Sequence, residues 1–214
     1  MRSTILGATL AAGLLLTPAS AFAQTPKPKP LPFIVFDIRG ASAGLGKDIL
    51  TAQELSVLGV QLPGRGLALS AGVNTYPFRR RGFAVGLGAE GILSRAVAKD
   101  VVAANGTVIE IRREMSGISA VLSLNFGGRD GWSYLSGGIG PLRFTSTSSD
   151  IPHGTAPATT TLNAGGGARW FVRPRLAAGF DVRAYFTKPA DATAGNAGRD
   201  RMNVFVIAIG ITLR

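Results

Sequence analysis

The feature that most constrains this chain is a two-residue rhythm, interrupted by connections that alternate between long and short. From Phe33 onward, large apolar side chains occupy every second position in run after run. Ile34, Phe36 and Ile38 alternate with Val35, Asp37, Arg39 and Ala41, and Leu67, Leu69, Ala71 and Val73 with Ala68, Ser70, Gly72 and Asn74. The same holds for Phe83, Val85 and Leu87 against Gly86, Gly88 and Glu90, and for Leu122, Leu124 and Phe126 against Ser123 and Asn125. Phe180 and Val182 alternate with Asp181 and Arg183, and Phe205, Ile207, Ile209 and Ile211 with Val206, Ala208 and Gly210; Asn203 falls on the apolar parity. Two further runs, 132–147 and 160–172, are glycine-rich and less regular. Period two is the signature of a strand with two unlike faces, and the count is eight strands, starting near residues 33, 66, 83, 116, 132, 160, 176 and 202.

The starts are separated by steps that alternate without exception between long and short. Short steps contain tight turns, PFRRRG at 77–82, GGRDG at 127–131 and RPR at 173–175; long ones contain polar or Gly/Pro-rich connections around 44–64, 103–107, 148–158 and 188–201. Short turns on one rim and long loops on the other predict an all-β fold, an eight-stranded antiparallel up-and-down transmembrane β-barrel.

The content of the two faces decides which one is outside. A water-soluble carrier barrel would turn the large apolar set inward; here the second face carries Gly, Ala and Ser with embedded charges, which suits the crowded interior of an eight-stranded barrel. Asp-x-Arg occurs twice on that face, at Asp37/Arg39 and Asp181/Arg183, on the first and seventh strands, which would flank the eighth. With Glu90 and Arg169 these residues are expected to form an ion-pair network in the lumen, because an unpaired buried charge is costly. Tyr76, Phe78, Phe83, Phe126, Trp132, Tyr134, Trp170 and Phe171 flank the three short turns and are expected to form an aromatic girdle at the membrane–water boundary.

The N-terminus reads as an export signal. Arg2 precedes an apolar run from Ile5 to Leu16, too short to span a bilayer, and Ala21-Phe22-Ala23 is a small-x-small cleavage site. Cleavage between Ala23 and Gln24 divides the chain into a signal peptide (1–23), a Pro/Lys-rich lead-in of extended character (24–32) and the barrel (33–214). Export and the absence of Cys exclude a disulfide framework and thiolate chemistry. The formal net charge of +11 is spread along the chain instead of forming one stripe, which argues against nucleic acid and points to anionic lipid headgroups or wall polymers.

Taken together, the signal, the eight alternating strands, the aromatic flanks and the polar inner face resemble the small outer-membrane β-barrels of the OmpA/OmpX-like class over about residues 33–214. The resemblance implies residence in a bacterial outer membrane, contact with anionic lipopolysaccharide, a monomeric barrel, and a structural or surface-interaction role without catalysis or cofactor. A narrow pore, a lipid A-modifying enzyme and a soluble periplasmic carrier are the alternatives. The chain departs from that class in ending on Thr212-Leu213-Arg214 where an aromatic is usual, and no peptidoglycan-binding domain is expected after the barrel.

Three motifs could carry chemistry. Gly86-x-Gly88-x-x-Gly91, with Glu110 about twenty residues later, has the outline of a dinucleotide-binding turn, and residues 92–104 could pass locally for its helix. Nothing downstream supplies further crossover helices, however, and glycines alternating toward a narrow lumen account for the pattern without a ligand. His153, the only histidine, lies near Ser148, Ser149 and Asp150; lipid A-modifying barrels use those residue types, but a Pro-flanked loop gives no reason for the hydroxyl to meet the imidazole. One His without Cys makes no metal site. Asn105-Gly106, by contrast, is a two-residue hairpin turn between strands of about twenty residues, where about 9–11 cross a bilayer. The excess is expected to project as a ribbon with free edges, able to contact a partner. The arginines of the short turns would then lie beside inner-leaflet phosphates.

Overall fold

Alternating faces of this kind leave the backbone one way to satisfy its hydrogen bonds without an open edge, which is to close the sheet on itself. The computed structural model describes residues 30–150, 157–191 and 199–214. They form β1 (Ile34–Gly44), a short helix α1 (Ile49–Glu54), β2 (Arg65–Arg80), β3 (Gly82–Val102), β4 (Val108–Gly128), β5 (Gly131–Ser148), β6 (Thr159–Arg173), β7 (Leu176–Phe186) and β8 (Asn203–Leu213). Each strand pairs antiparallel with the next and β8 returns to β1, closing an eight-stranded barrel. Ala23, Gln24 and His153 lie outside the described residues.

The strand starts match the sequence rhythm except at β4, which begins at Val108 and not near 116. Its extra turn-proximal stretch alternates Ile109, Ile111, Arg113 and Met115 inward, and this pairs with the far end of β3 from Ala98↔Ile111 to Val102↔Val108. Residues 92–102 are therefore strand, not helix, and β3 and β4 are 21 residues each.

The exterior is apolar. Ile38, Leu67, Leu87, Leu122, Leu135, Leu162, Val182, Ile207 and Ile209 are all exposed, while Asp37, Arg39, Asp181 and Arg183 are buried. That inversion of the usual order defines a surface that faces lipid. It makes the chain a transmembrane barrel.

The lumen is filled in layers. At the short-turn end Leu31, Val35, Tyr76, Ala84, Trp132 and Tyr134 form a plug, the middle holds the charged residues, and toward the long loops Ile92, Met115, Leu142, Phe144, Met202 and Val204 form an apolar layer. The aromatics near the short turns are thus divided and not gathered in one girdle. Phe78, Phe126 and Trp170 face outward, whereas Tyr76, Trp132 and Tyr134 are buried inside. A β-bulge between Thr75 and Phe78 makes the division possible on β2. The extra residue is Pro77, and it places Tyr76 inward and Phe78 outward, although two residues apart they would otherwise share a face.

The connection 45–64 folds back over the long-loop end. Asp48 caps α1, accepting from Thr51 N at 3.3 Å and Thr51 Oγ1 at 2.9 Å. Ala52, Leu55 and Leu62 then pack on Val101, Ala103, Ile109 and Ile111 of the β3–β4 hairpin.

Candidate functional site

The middle of the lumen brings together all six charged residues singled out by parity. Asp37 on β1 accepts from Arg169 on β6 through Nε at 3.0 Å and Nη2 at 2.7 Å, and lies 3.0 Å from Arg39. Arg39 reaches Glu90 on β3 at 3.4 Å, Glu90 reaches Arg183 on β7 at 3.5 Å, and Arg183 reaches Asp181 at 3.1 Å. Three guanidiniums and three carboxylates balance in a continuous chain across the barrel. Burial of this kind is tolerable because every charge meets an opposite one and the remaining lone pairs are occupied.

The neutral members of the network escaped the sequence reading. Asn74 donates to Asp37 Oδ2 at 3.3 Å, Thr212 donates to Asp37 Oδ1, and Tyr134 donates to Asp181 at 2.8 Å. Arg183 also donates to Asn163 at 2.7 Å and Ser136 at 3.0 Å, and the Arg169 guanidinium lies 4.3 Å from the Tyr134 ring centroid. The signal that could have found them is the same parity: each is a polar side chain on the inward face of its strand. The free space among these residues is a cavity of about 10 Å³, room for one water. Around that cavity the lumen is packed as a structural core.

The glycines of the dinucleotide outline belong to this core. A Cβ on Gly86 would stand 2.8 Å from the Tyr76 ring, and one on Gly88 would fall 2.5 Å from Asn74 Oδ1. Gly86 and Gly88 are small because the lumen is narrow, and both lie within β3. Among the described residues, no group of three or more metal-ligating side chains converges. Ser149 Oγ accepts from Glu110 N at 3.2 Å and donates to Asp150 Oδ1 at 3.3 Å, so the serine four residues before His153 in sequence is held by the β4 backbone and by its neighbour Asp150.

The long-loop end carries a second feature. Arg113, on the apolar inward parity of β4, is fully buried; its Nη1 donates to Gly46 O at 2.8 Å and Pro63 O at 3.4 Å, and its guanidinium lies 4.9 Å from the Phe144 centroid. It fastens both ends of the 45–64 connection over the lumen. At the hairpin tip, Asn105 Oδ1 accepts from Thr107 N at 3.0 Å and Gly106 adopts φ +81°, a conformation that favours glycine. Ala104 N donates to Ser56 O at 2.8 Å and Gln61 Nε2 to Val102 O at 3.1 Å, tying connection and hairpin into one tip.

The free edge of the β3–β4 hairpin itself is limited to one side. β5 beyond Leu142 has no β6 partner among the described residues, while β4 stays paired with β5 as far as Ile111↔Ser148, so on the hairpin itself the free edge is that of β3 beyond Arg95. That edge is broken by a bulge between Ala98 and Val101, with Asp100 at φ +55° and exposed Lys99 beside it, which is how native sheets discourage strand addition.

Fold and lumen define a class: a membrane-spanning β-barrel sealed by its own side chains, with an ordered cap on the long-loop rim. Among solved structures the chain is similar to Neisserial surface protein A at 12% identity, covering 85% of this chain and 95% of that one with a TM-score of 0.46. It is similar to Ail of Yersinia pestis, solved with the heparin analogue sucrose octasulfate, at 12% identity over 87% and 98% with a TM-score of 0.42. It is also similar to the outer membrane protein AlkL, solved in DMPC bilayers, at 16% identity over 99% and 96% with a TM-score of 0.46. No family model and no curated protein matches the sequence. The likeness is one of architecture, to small outer-membrane barrels.

Proposed function

We propose that this chain is a bacterial outer-membrane barrel without catalytic chemistry, whose work is contact with partners outside the cell through the tip built by residues 45–64 and the β3–β4 hairpin. The observation that carries this reading is that the tip is ordered yet leaves apolar side chains uncovered. Leu58 is 68% exposed, Val60 70% and Val108 60%, although the backbone beneath them is fixed by the contacts of Ser56 and Gln61. Uncovered apolar groups on a rigid mount are what an interaction surface requires. Because the β3 edge is blunted, contact by the hairpin is made by side chains and not by strands added to β3.

The apolar exterior and the export signal support residence in the outer membrane, with the long loops outward. Exposed Arg65, Arg95 and Arg143 sit at the long-loop end of the apolar band, at a height that suits the phosphates of lipopolysaccharide. A conducting pore is disfavoured by the filled lumen.

The test is a full-length variant carrying Leu58→Asp, Val60→Asp and Val108→Asp, compared with wild type on intact cells. The variant is expected to fractionate with the outer membrane and keep the heat-modifiable migration of a folded barrel, while capture of extracellular protein partners on the intact cells falls several-fold. Unchanged capture removes the contact reading, and recovery of wild type in the soluble periplasmic fraction removes the membrane assignment.

A further inference from the structure

The opposite rim carries a charge pattern that the outward-facing reading does not use. Residues 77–82, 127–131 and 173–175 contain Arg79, Arg80, Arg81, Arg129, Arg173 and Arg175, and Asp130 is their only acidic residue. Arg79 lies over Phe33 at 5.5 Å and Arg80 over Phe78 at 5.4 Å. These rings stand at the edge of the lipid-facing band, so the guanidiniums are carried just past it, where headgroups lie.

Between the β4–β5 and β6–β7 turns the rim opens into a cleft of about 470 Å³, lined in part by Arg129, Asp130, Arg173 and Arg214. Arg214 is fixed in place: it donates to Arg129 O and Pro174 O, and its guanidinium lies 3.8 Å from the Phe171 centroid. Phe171 in turn stacks on Trp132 of the plug at 5.4 Å, so the floor of the cleft is continuous with the rigid core. Arg129 and Arg173 are exposed and enter no ion pair among the described residues. Val172, in the wall of the cleft, and Trp170, beside it, are exposed on the lipid-facing side of β6.

We propose that this cleft binds the headgroup of an anionic phospholipid from the inner leaflet. Its acyl chains lie against Trp170 and Val172, and its phosphodiester meets Arg129, Arg173 and the fixed Arg214. The charge selects against a zwitterionic lipid, whose ammonium would enter a site with three guanidiniums and one carboxylate. Continuity with the apolar wall selects a membrane lipid over a soluble phosphate or a wall polymer, neither of which has a use for Trp170 and Val172.

The experiment is native mass spectrometry of the full-length protein from detergent with phosphatidylglycerol or phosphatidylethanolamine, for wild type and the double variant Arg129→Gln/Arg173→Gln. Both substituted residues are exposed, so the fold is retained, and heat-modifiable migration verifies this. Wild type is expected to retain phosphatidylglycerol in preference, and the double variant to lose about thirtyfold in that affinity, as removal of two cations at a headgroup surface implies. Arg80→Gln/Arg81→Gln, on a different turn, is expected to change it little. Equal retention of the two lipids, an unaffected double variant, or equal affinity for glycerophosphate alone each overturns the proposal, as does variant-sensitive binding of an anionic wall polymer without lipid preference.

Discussion

Arg169 grips Asp37 across the lumen through two parallel hydrogen bonds, at 3.0 and 2.7 Å, although their strands β6 and β1 are not neighbours in the sheet. The side-on geometry is the strong form of a guanidinium–carboxylate contact. It ties opposite walls of the barrel where the sheet ladder cannot.

Asp37 also neutralises Arg39 and accepts from Asn74 and Thr212. Replacing it by Ala leaves two buried guanidiniums short of a partner, and is expected to destabilise the barrel by about 3–5 kcal/mol. Asp181→Ala should cost less, since Arg183 retains Glu90, Asn163 and Ser136. Glu90→Gln should cost least, because its two ionic contacts are the long ones, at 3.4 and 3.5 Å. Urea unfolding in detergent micelles reads the order directly, and a reversed order would mean that the network is not organised around Asp37.

That these residues belong together was legible because strand parity is a local property. Asp37, Arg39, Asp181 and Arg183 sit on the face that alternates with large apolar residues, and β7 and β1 must flank β8 in any up-and-down closure. Which carboxylate Arg169 reaches is not local: it depends on the stagger of all eight strands. The plug was missed for a similar reason. Tyr76 and Phe78 appear to share a face until the Pro77 bulge shifts the register, and a one-residue shift reverses the facing of every side chain beyond it. Arg113 gave a weak signal, as one charge among Ile109, Ile111 and Met115. Its partners are backbone carbonyls of the 45–64 connection, which carries no periodic pattern to announce where it folds.

The glycine ladder of β3 admits a sharp comparison. A Cβ on Gly88 would overlap Val73 O at 2.3 Å and Asn74 Oδ1 at 2.5 Å, whereas one on lipid-facing Gly137 has its nearest neighbour, Asn163 O, at 3.7 Å. Gly88→Ala is therefore expected to destabilise by about 1–3 kcal/mol through overpacking, and Gly137→Ala to stay within about 0.5 kcal/mol of wild type. Equal midpoints for the two variants in urea unfolding would mean that the lumen has slack at Gly88, contrary to its contacts.

The cap over the long-loop rim depends on Arg113, whose Nη1 donates to the carbonyls of both Gly46 and Pro63. Arg113→Ala removes both bonds and the stacking on Phe144, while the strand pairing of β4 with β3 and β5 needs none of them. The expected outcome is separation of local from global stability: the barrel keeps its heat-modifiable migration, but residues 45–64 become several-fold more sensitive to limited proteolysis. Ala52, Leu55 and Leu62 would still pack on the hairpin, so the loosening should be greatest near Gly46 and Pro63 and least along α1. Cleavage mapped by mass spectrometry distinguishes the two ends. Protection equal to wild type throughout would show that the apolar packing alone holds the cap, and that the buried guanidinium serves the Phe144 layer instead.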